Sequence, residues 1–266
     1  MNAPFSIRAS SLSELFDCPA RWETKNVLGR RLPIGGAGRM GTAIHEATTL
    51  HDYAVMNETT VSLDDCDTVL VDAIWNPNED VDWTDTDQQT AETTGRALIR
   101  KYISDIAGTQ HYIGVEVRAE ALTLADIGIT LTGTIDRIYQ HDNGQLGIGD
   151  IKTGKTACSA DGTVKTAGHG VQMGVYTLLA EHALNEQLLA PARIYGLTTG
   201  KTAKGQHAGV GEIPDPMDAL LGSDDRHGLL HHAGQILKNG LFYGNPKSTL
   251  CSAKFCPAHQ TCPFRK

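Results

Sequence analysis

The chain has 266 residues, 40% of them hydrophobic, enough for one large domain or one domain with a helical annex. Its net charge is −8, with 31 acidic against 23 basic residues, which excludes a protein that coats nucleic acid by bulk charge. No apolar run approaches the roughly 18 residues of a membrane span, and Met1-Asn2-Ala3-Pro4-Phe5-Ser6 lacks the charged and apolar regions of a secretory leader, so a cytoplasmic protein with no membrane partner is expected.

Leu12–Lys25 predicts a helix broken at Pro19. Residues 29–41 are rich in Gly and Arg and read as a loop, with a helix following from Thr42 to about Tyr53. From Asp64 to Glu92 there is no Lys or Arg, and residues 75–87 read as a polar, acidic connection. Gln88–Ile106 predicts a helix ending at Gly108. Three strands are then expected, Ile113–Leu122, Gly128–Tyr139 and Gln145–Lys152, the last two joined by His141-Asp142-Asn143-Gly144. Asn-Gly there is a hairpin signal that predicts positive φ at both residues. A polar loop (154–168), a helix (Val171–Leu184), a strand (Ala192–Thr198), a Gly- and Lys-rich stretch open to disorder (200–211) and a helix (His227–Leu237) complete the run into a cysteine-bearing tail. Helices, then an antiparallel hairpin sheet, then helix and strand, predict an α/β core with helices on its flanks.

The hairpin carries the chemistry. It puts Asp136 and Asp150 on neighbouring strands, and two carboxylates so placed repel unless a divalent cation sits between them. Lys152, two residues past Asp150, points to the same strand face. An acid, an acid-x-lysine and a hairpin suit hydrolysis of a phosphodiester; a solvated strand face is the plain alternative. His45 lies on the helix after Gly41, where its imidazole would suit Mn²⁺ better than Mg²⁺, and Glu46 beside it points elsewhere. Gln172 and Tyr176, spaced i and i+4, share one helix face. Basic residues gather at Arg30, Arg31 and Arg39, at Lys152, Lys155 and Lys165, and at Lys201 and Lys204, so an acidic protein could still hold a basic groove.

The chain has six cysteines, of which Cys251, Cys256 and Cys262 cluster as Cys-x4-Cys-x5-Cys in an irregular tail. Three thiolates need a fourth ligand, and Cys18, in Asp17-Cys18-Pro19-Ala20-Arg21-Trp22, is the candidate. Ligand softness leaves zinc and iron–sulfur open, and His259 could serve a zinc. Cys66, set among Asp64, Asp65 and Asp67, and Cys158 read as ordinary thiols.

Gly133-Thr134-Ile135-Asp136, the hairpin and Asp150-Ile151-Lys152-Thr153-Gly154 together resemble the PD-(D/E)xK nuclease superfamily, and more closely its RecB-like exonuclease branch. Gly41-x3-His45, Gln172-x3-Tyr176 and the cysteines at both chain ends extend the resemblance over nearly the whole chain. It implies a restriction-endonuclease-like core, with a mixed central sheet flanked by helices, over 111–200. A helical annex would span 31–110, and a metal-cluster region would join 1–30 to 245–266, all in one nuclease domain. Asp136, Asp150 and Lys152 would be catalytic. His45, Asp136, Asp150 and the carbonyl of Ile151 would hold Mg²⁺ or Mn²⁺, with Glu116 a weaker candidate. Gln172 and Tyr176 would touch DNA, single-stranded or with a free end. Cys18, Cys251, Cys256 and Cys262 would bind a 4Fe–4S cluster, although the gap between the first two tail cysteines is wider than the branch's usual two residues. Recombination, repair, phage replication or CRISPR adaptation would supply the context and any protein partners. A non-catalytic nucleic-acid-binding protein and a redox-sensing iron–sulfur protein are the other classes.

Overall fold

The computed structural model describes residues 4–265. Strand β1 (Phe5–Arg8) leads through a short 3-10 turn into helices α1 (Leu12–Asp17) and α2 (Pro19–Asn26). The break between them falls where expected: Cys18 is extended, and Pro19 opens α2 at a position whose N–H has no helical partner. Next, β2 (Ile34–Gly35) precedes α3 (Gly36–Met56), which starts six residues before the expected Thr42. The glycines that suggest a loop instead permit contact: a Cβ on Gly36 would lie 2.6 Å from the Thr86 carbonyl oxygen and 2.7 Å from the Trp83 ring. Close packing here outweighs the helix penalty of glycine.

Helix α4 (Leu63–Trp75) occupies part of the acidic stretch and has no counterpart among the predicted elements. A capping box starts it, with Ser62 Oγ accepting from the Asp65 N–H and the Asp65 carboxylate accepting from the Ser62 N–H. Its Asp67 pairs with Arg96 and Arg100 of α5 (Gln88–Asp105), so the missing local cations come from the neighbouring helix. Between α4 and α5, β3 (Val81–Asp82) pairs in parallel with β2.

The expected three strands are five: β4 (Tyr112–Arg118), β5 (Leu122–Leu124), β6 (Ile129–Thr132), β7 (Thr134–Gln140) and β8 (Leu146–Gly154). The first two predicted strands each divide because the chain changes sheets, once after Arg118 and again at Gly133. After α6 (Gly170–Leu184) and β9 (Ala192–Thr198), residues read as disorder-prone supply β10 (Ala208–Ile213), which pairs antiparallel along β9. The turn α7 (Asp218–Leu221), the small pair β11 (Gly222–Ser223) and β12 (Arg226–His227), and α8 (Leu229–Lys238) follow.

The main sheet runs β10-β9-β8-β7-β4, mixed because β8 and β9 are parallel and the other neighbours antiparallel. Helices α3, α4 and α5 pack with Tyr112, Tyr139, Ile151 and Tyr195, while α1, α6 and α8 pack with Ile135, Ile138, Ile148 and Ile194. Alternate residues of the strands thus serve two cores, one on each sheet face. A second sheet, β1-β6-β5, stands beside the first.

The β7–β8 turn demands less than expected. Only Gly144 has positive φ (+85°); Asn143 does not. The Gly144 N–H donates to the His141 carbonyl at 2.8 Å, and the Asn143 side chain accepts from the Gln145 N–H, so one left-handed residue suffices.

The irregular tail returns to the N-terminal helices. Ala20 N–H donates to the Tyr243 carbonyl, Asn245 to the Asp17 carbonyl and Ser248 to the Asp17 carboxylate. Buried Arg21 binds Glu14, Asp17 and Ser248 at once.

Candidate functional site

Three glycines explain how the site is assembled. A Cβ on Gly41 would sit 2.6 Å from Thr153 Oγ1, so α3 crosses the end of β8 at a distance only glycine allows, one turn before His45. A Cβ on Gly133 would meet the Tyr176 ring at 2.9 Å, which brings α6 down onto β7 three residues before Asp136. Gly149 leaves room for the Tyr195 ring, which a Cβ would meet at 2.3 Å.

His45 Nε2 then lies 2.6 Å from Asp136 Oδ2, and His45 Nδ1 lies 3.4 Å from Glu116 Oε1. Among the described residues, His45, Glu116 and Asp136 are the group of three His, Cys, Asp or Glu residues whose ligand atoms all fall within 4.8 Å of one another. Asp136 Oδ2 also accepts the Ile151 N–H at 3.0 Å, which ties the two strands across the site. Asp150 stands outside this trio. The Lys152 ammonium lies against its Oδ2, and Gln172 Nε2 donates to its Oδ1 at 3.3 Å. Gln172 also donates to the Tyr176 hydroxyl at 3.2 Å, so the i, i+4 pair does face the acids. Glu46 turns away to Arg39.

Glu116 arrives by an unusual backbone route. It has φ of +51° in the middle of β4, and Val115 and Val117 pair with β7 while it does not. A non-glycine residue in that region stores strain. Here the distortion turns the carboxylate to His45, to the Thr49 hydroxyl at 3.2 Å and to Arg137 at 3.5 Å.

Behind the trio sits a network that the sequence reading omits. Arg137 is fully buried; its Nε donates to Asp52 Oδ2 at 2.6 Å and its Nη1 to the Asp136 carbonyl at 2.7 Å. Asp52 also accepts from the Tyr102 hydroxyl at 2.5 Å, and that oxygen is 2.9 Å from the Tyr112 hydroxyl. The available signal is the stripe His45, Thr49, Asp52, spaced i, i+4, i+7 on a largely apolar helix.

The charges oppose one another. Burial favours the neutral Asp136 carboxyl, but the hydrogen bond and charge of His45, with the Ile151 N–H, bring it below its ordinary value. Burial and the neighbouring Asp136 charge drive Asp150 upward, against the pull of Lys152. Glu116 is raised by burial, and His45 is raised because Asp136 and Glu116 outweigh its own burial. Such carboxylate crowding is what a divalent cation relieves.

Cys18, Cys251, Cys256 and Cys262 line one cavity together with Arg21, Asn245 and His259. The Asn245 N–H donates to Cys18 Sγ at 3.4 Å. Burial, followed by the nearby Cys18 and Cys262 thiols, pushes Cys256 up, against the Ala258 N–H. Cys66 is instead buried among α3, α4 and α5, and Cys158 is buried against Val164 and Thr198.

A solved structure, "Crystal structure of SSO0001", aligns with 100% of this chain and 89% of its own at 14% identity and a TM-score of 0.45. No curated protein matches the sequence. The family model described as the PD-(D/E)XK nuclease superfamily matches residues 6–263, a span holding His45, Glu116, Asp136, Asp150 and Lys152, and the chain belongs to that superfamily.

Proposed function

We propose that this protein is a divalent-metal-dependent DNA exonuclease of the RecB-like iron–sulfur type, acting on single-stranded DNA or on DNA ends. The observation that carries the reading is the trio His45, Glu116 and Asp136, gathered within 4.8 Å beside the Asp150–Lys152 pair. The donors fit a hard divalent ion: two carboxylates and an imidazole that converge, and a second buried acid adjacent. His45, Glu116 and Asp136 would hold it, with Asp150 joining from the neighbouring strand. A bound Mg²⁺ or Mn²⁺ supplies an acidified water and charge stabilisation on the phosphate. Lys152 offers an ammonium to a phosphate oxygen or to the proton released by the attacking water. Gln172 holds Asp150 in place and presents its amide, with the Tyr176 phenol, toward the strand.

The cysteine cavity supports the second cofactor. Four thiols from both chain ends line it, the number of ligands that a 4Fe–4S cluster takes. A 4Fe–4S cluster held there would tie the tail to α2.

The test uses end-labelled linear DNA, single- and double-stranded, and a closed single-stranded circle. Mn²⁺ should support degradation of linear strands, EDTA should stop it, and the circle should survive. Asp150→Ala and Lys152→Ala should each lower the rate by orders of magnitude with the circular dichroism spectrum unchanged. Full activity in either variant removes the assignment, and rapid cutting of the circle replaces exonuclease by endonuclease.

A further inference from the structure

Asp136 and Tyr176 also line an open groove of about 890 Å³. The groove follows the line where the chain passes from one sheet to the other. The parallel β1–β6 pairing sets Arg8 opposite Thr132, and the antiparallel β4–β7 pairing sets Arg118 opposite Thr134. Thr132 and Thr134 flank Gly133, so the backbones of the two arginines stand on either side of the 132–134 segment. Both line it, both are exposed, and among the described residues neither forms an ion pair or donates a side-chain hydrogen bond. Glu120 and Asp136 are the acidic residues of the lining. Thr132 is four residues before Asp136, at most about 13 Å along the backbone.

We infer that this groove carries one nucleic-acid strand past the cleavage site, and that Arg8 and Arg118 clamp its phosphates within a few nucleotides of the scissile bond. The inference rests on the nuclease reading for the bond at Asp136. Two guanidiniums that line one groove without an ion-pair partner are suited to an anionic polymer, since arginine binds phosphate through a planar fork of donors. The Ser6 hydroxyl lies in the same lining and adds a neutral donor. The volume is that of a small-ligand cleft, room for a short stretch of one backbone.

The experiment measures binding of the full chain to a fluorescein-labelled oligothymidine in EDTA, across a salt series. Binding in EDTA is read separately from wild-type cleavage in Mn²⁺, so failure of the groove and failure of the nuclease reading give different results. The Arg8→Ala/Arg118→Ala variant should bind at least tenfold more weakly. Its plot of log affinity against log salt should be shallower by roughly 1.4, for two contacts at about 0.7 each on a single strand. Arg8→Lys/Arg118→Lys should keep the wild-type slope, and Lys238→Ala, on α8, should keep both slope and affinity. A folded alanine variant with wild-type affinity and slope overturns the clamp. An equal loss toward a hairpin-capped duplex overturns the single-strand path.

Discussion

Replacing Asp52 by Asn tests whether the buried network behind the trio holds the site together. The carboxylate is 1% exposed and accepts from Arg137 at 2.6 Å, from Tyr102 at 2.5 Å and lies 2.8 Å from His51 Nδ1. Arg137 is 0% exposed, and one of its nitrogens, Nη2, already lacks a hydrogen-bond partner. Its other acidic neighbour, Glu116, is 3.5 Å away and a third exposed. Asp52→Asn keeps the volume but leaves a guanidinium buried without its main counter-charge. Breaking a buried pair from one side costs about 3–5 kcal/mol. Against a total stability of about 5–15 kcal/mol the variant should still fold, but with little margin. At an m-value near 3 kcal/mol per molar urea, the unfolding midpoint should fall by about 1–1.7 M. Urea titration followed by tryptophan fluorescence reads this directly, because Trp22 is buried and stacked on Phe242. Asp52→Asn/Arg137→Met removes both charges and should recover part of the loss, giving a favourable coupling in the double-mutant cycle. A single variant that loses less than about 1 kcal/mol, or a double variant at the sum of the two singles, refutes the argument.

Three further outcomes are expected. Gly133→Ala should destabilise the protein by about 1–3 kcal/mol, because the new methyl would meet a buried Tyr176 ring at 2.9 Å, and adding Tyr176→Leu should restore part of the urea midpoint. Burial, with Asp65 and Asp67 nearby, pushes the Cys66 thiol from 9.0 to about 11, so iodoacetamide at pH 8 should modify it only after unfolding, as peptide mass spectrometry will show. The unfolded chain gives up that proton first, so Cys66 lowers stability as pH rises from 9.0 to about 11, and Cys66→Ala should flatten that part of the pH–stability curve. Anaerobically purified protein should carry about four irons and four sulfides per chain; Cys18→Ser should lose them and Cys66→Ser should not, whereas stoichiometric zinc without sulfide would replace the cluster.

Much of the candidate site was legible because its signals are local. The two-residue strand period predicts that Asp150 and Lys152 share a face, and their side chains are in contact. The helical period predicts that Gln172 and Tyr176 meet, and they do. Pro19 and its extended predecessor mark the α1–α2 break. The Ser62–Asp65 capping box was equally local and was hidden by the acidity around it.

What tertiary structure decided is non-local. Whether β6 and β7 are one strand or two depends on which partners their backbones find, and Gly133 permits the change by lying against Tyr176. β10 is a strand because β9 offers it an unpaired edge; its own glycines argue against it. Glu116 joins His45 and Asp136 only through a left-handed residue in β4, which no local pattern of glutamate and valine encodes. Arg137 and Asp52 lie 85 residues apart, and their pairing is set by how α3 crosses the sheet. Periods of 2 and 3.6 residues are written into the chain by backbone geometry alone, so the sequence specifies which side chains share a face; which faces then meet follows from the joint burial of two cores, and that is known only when the whole chain has packed.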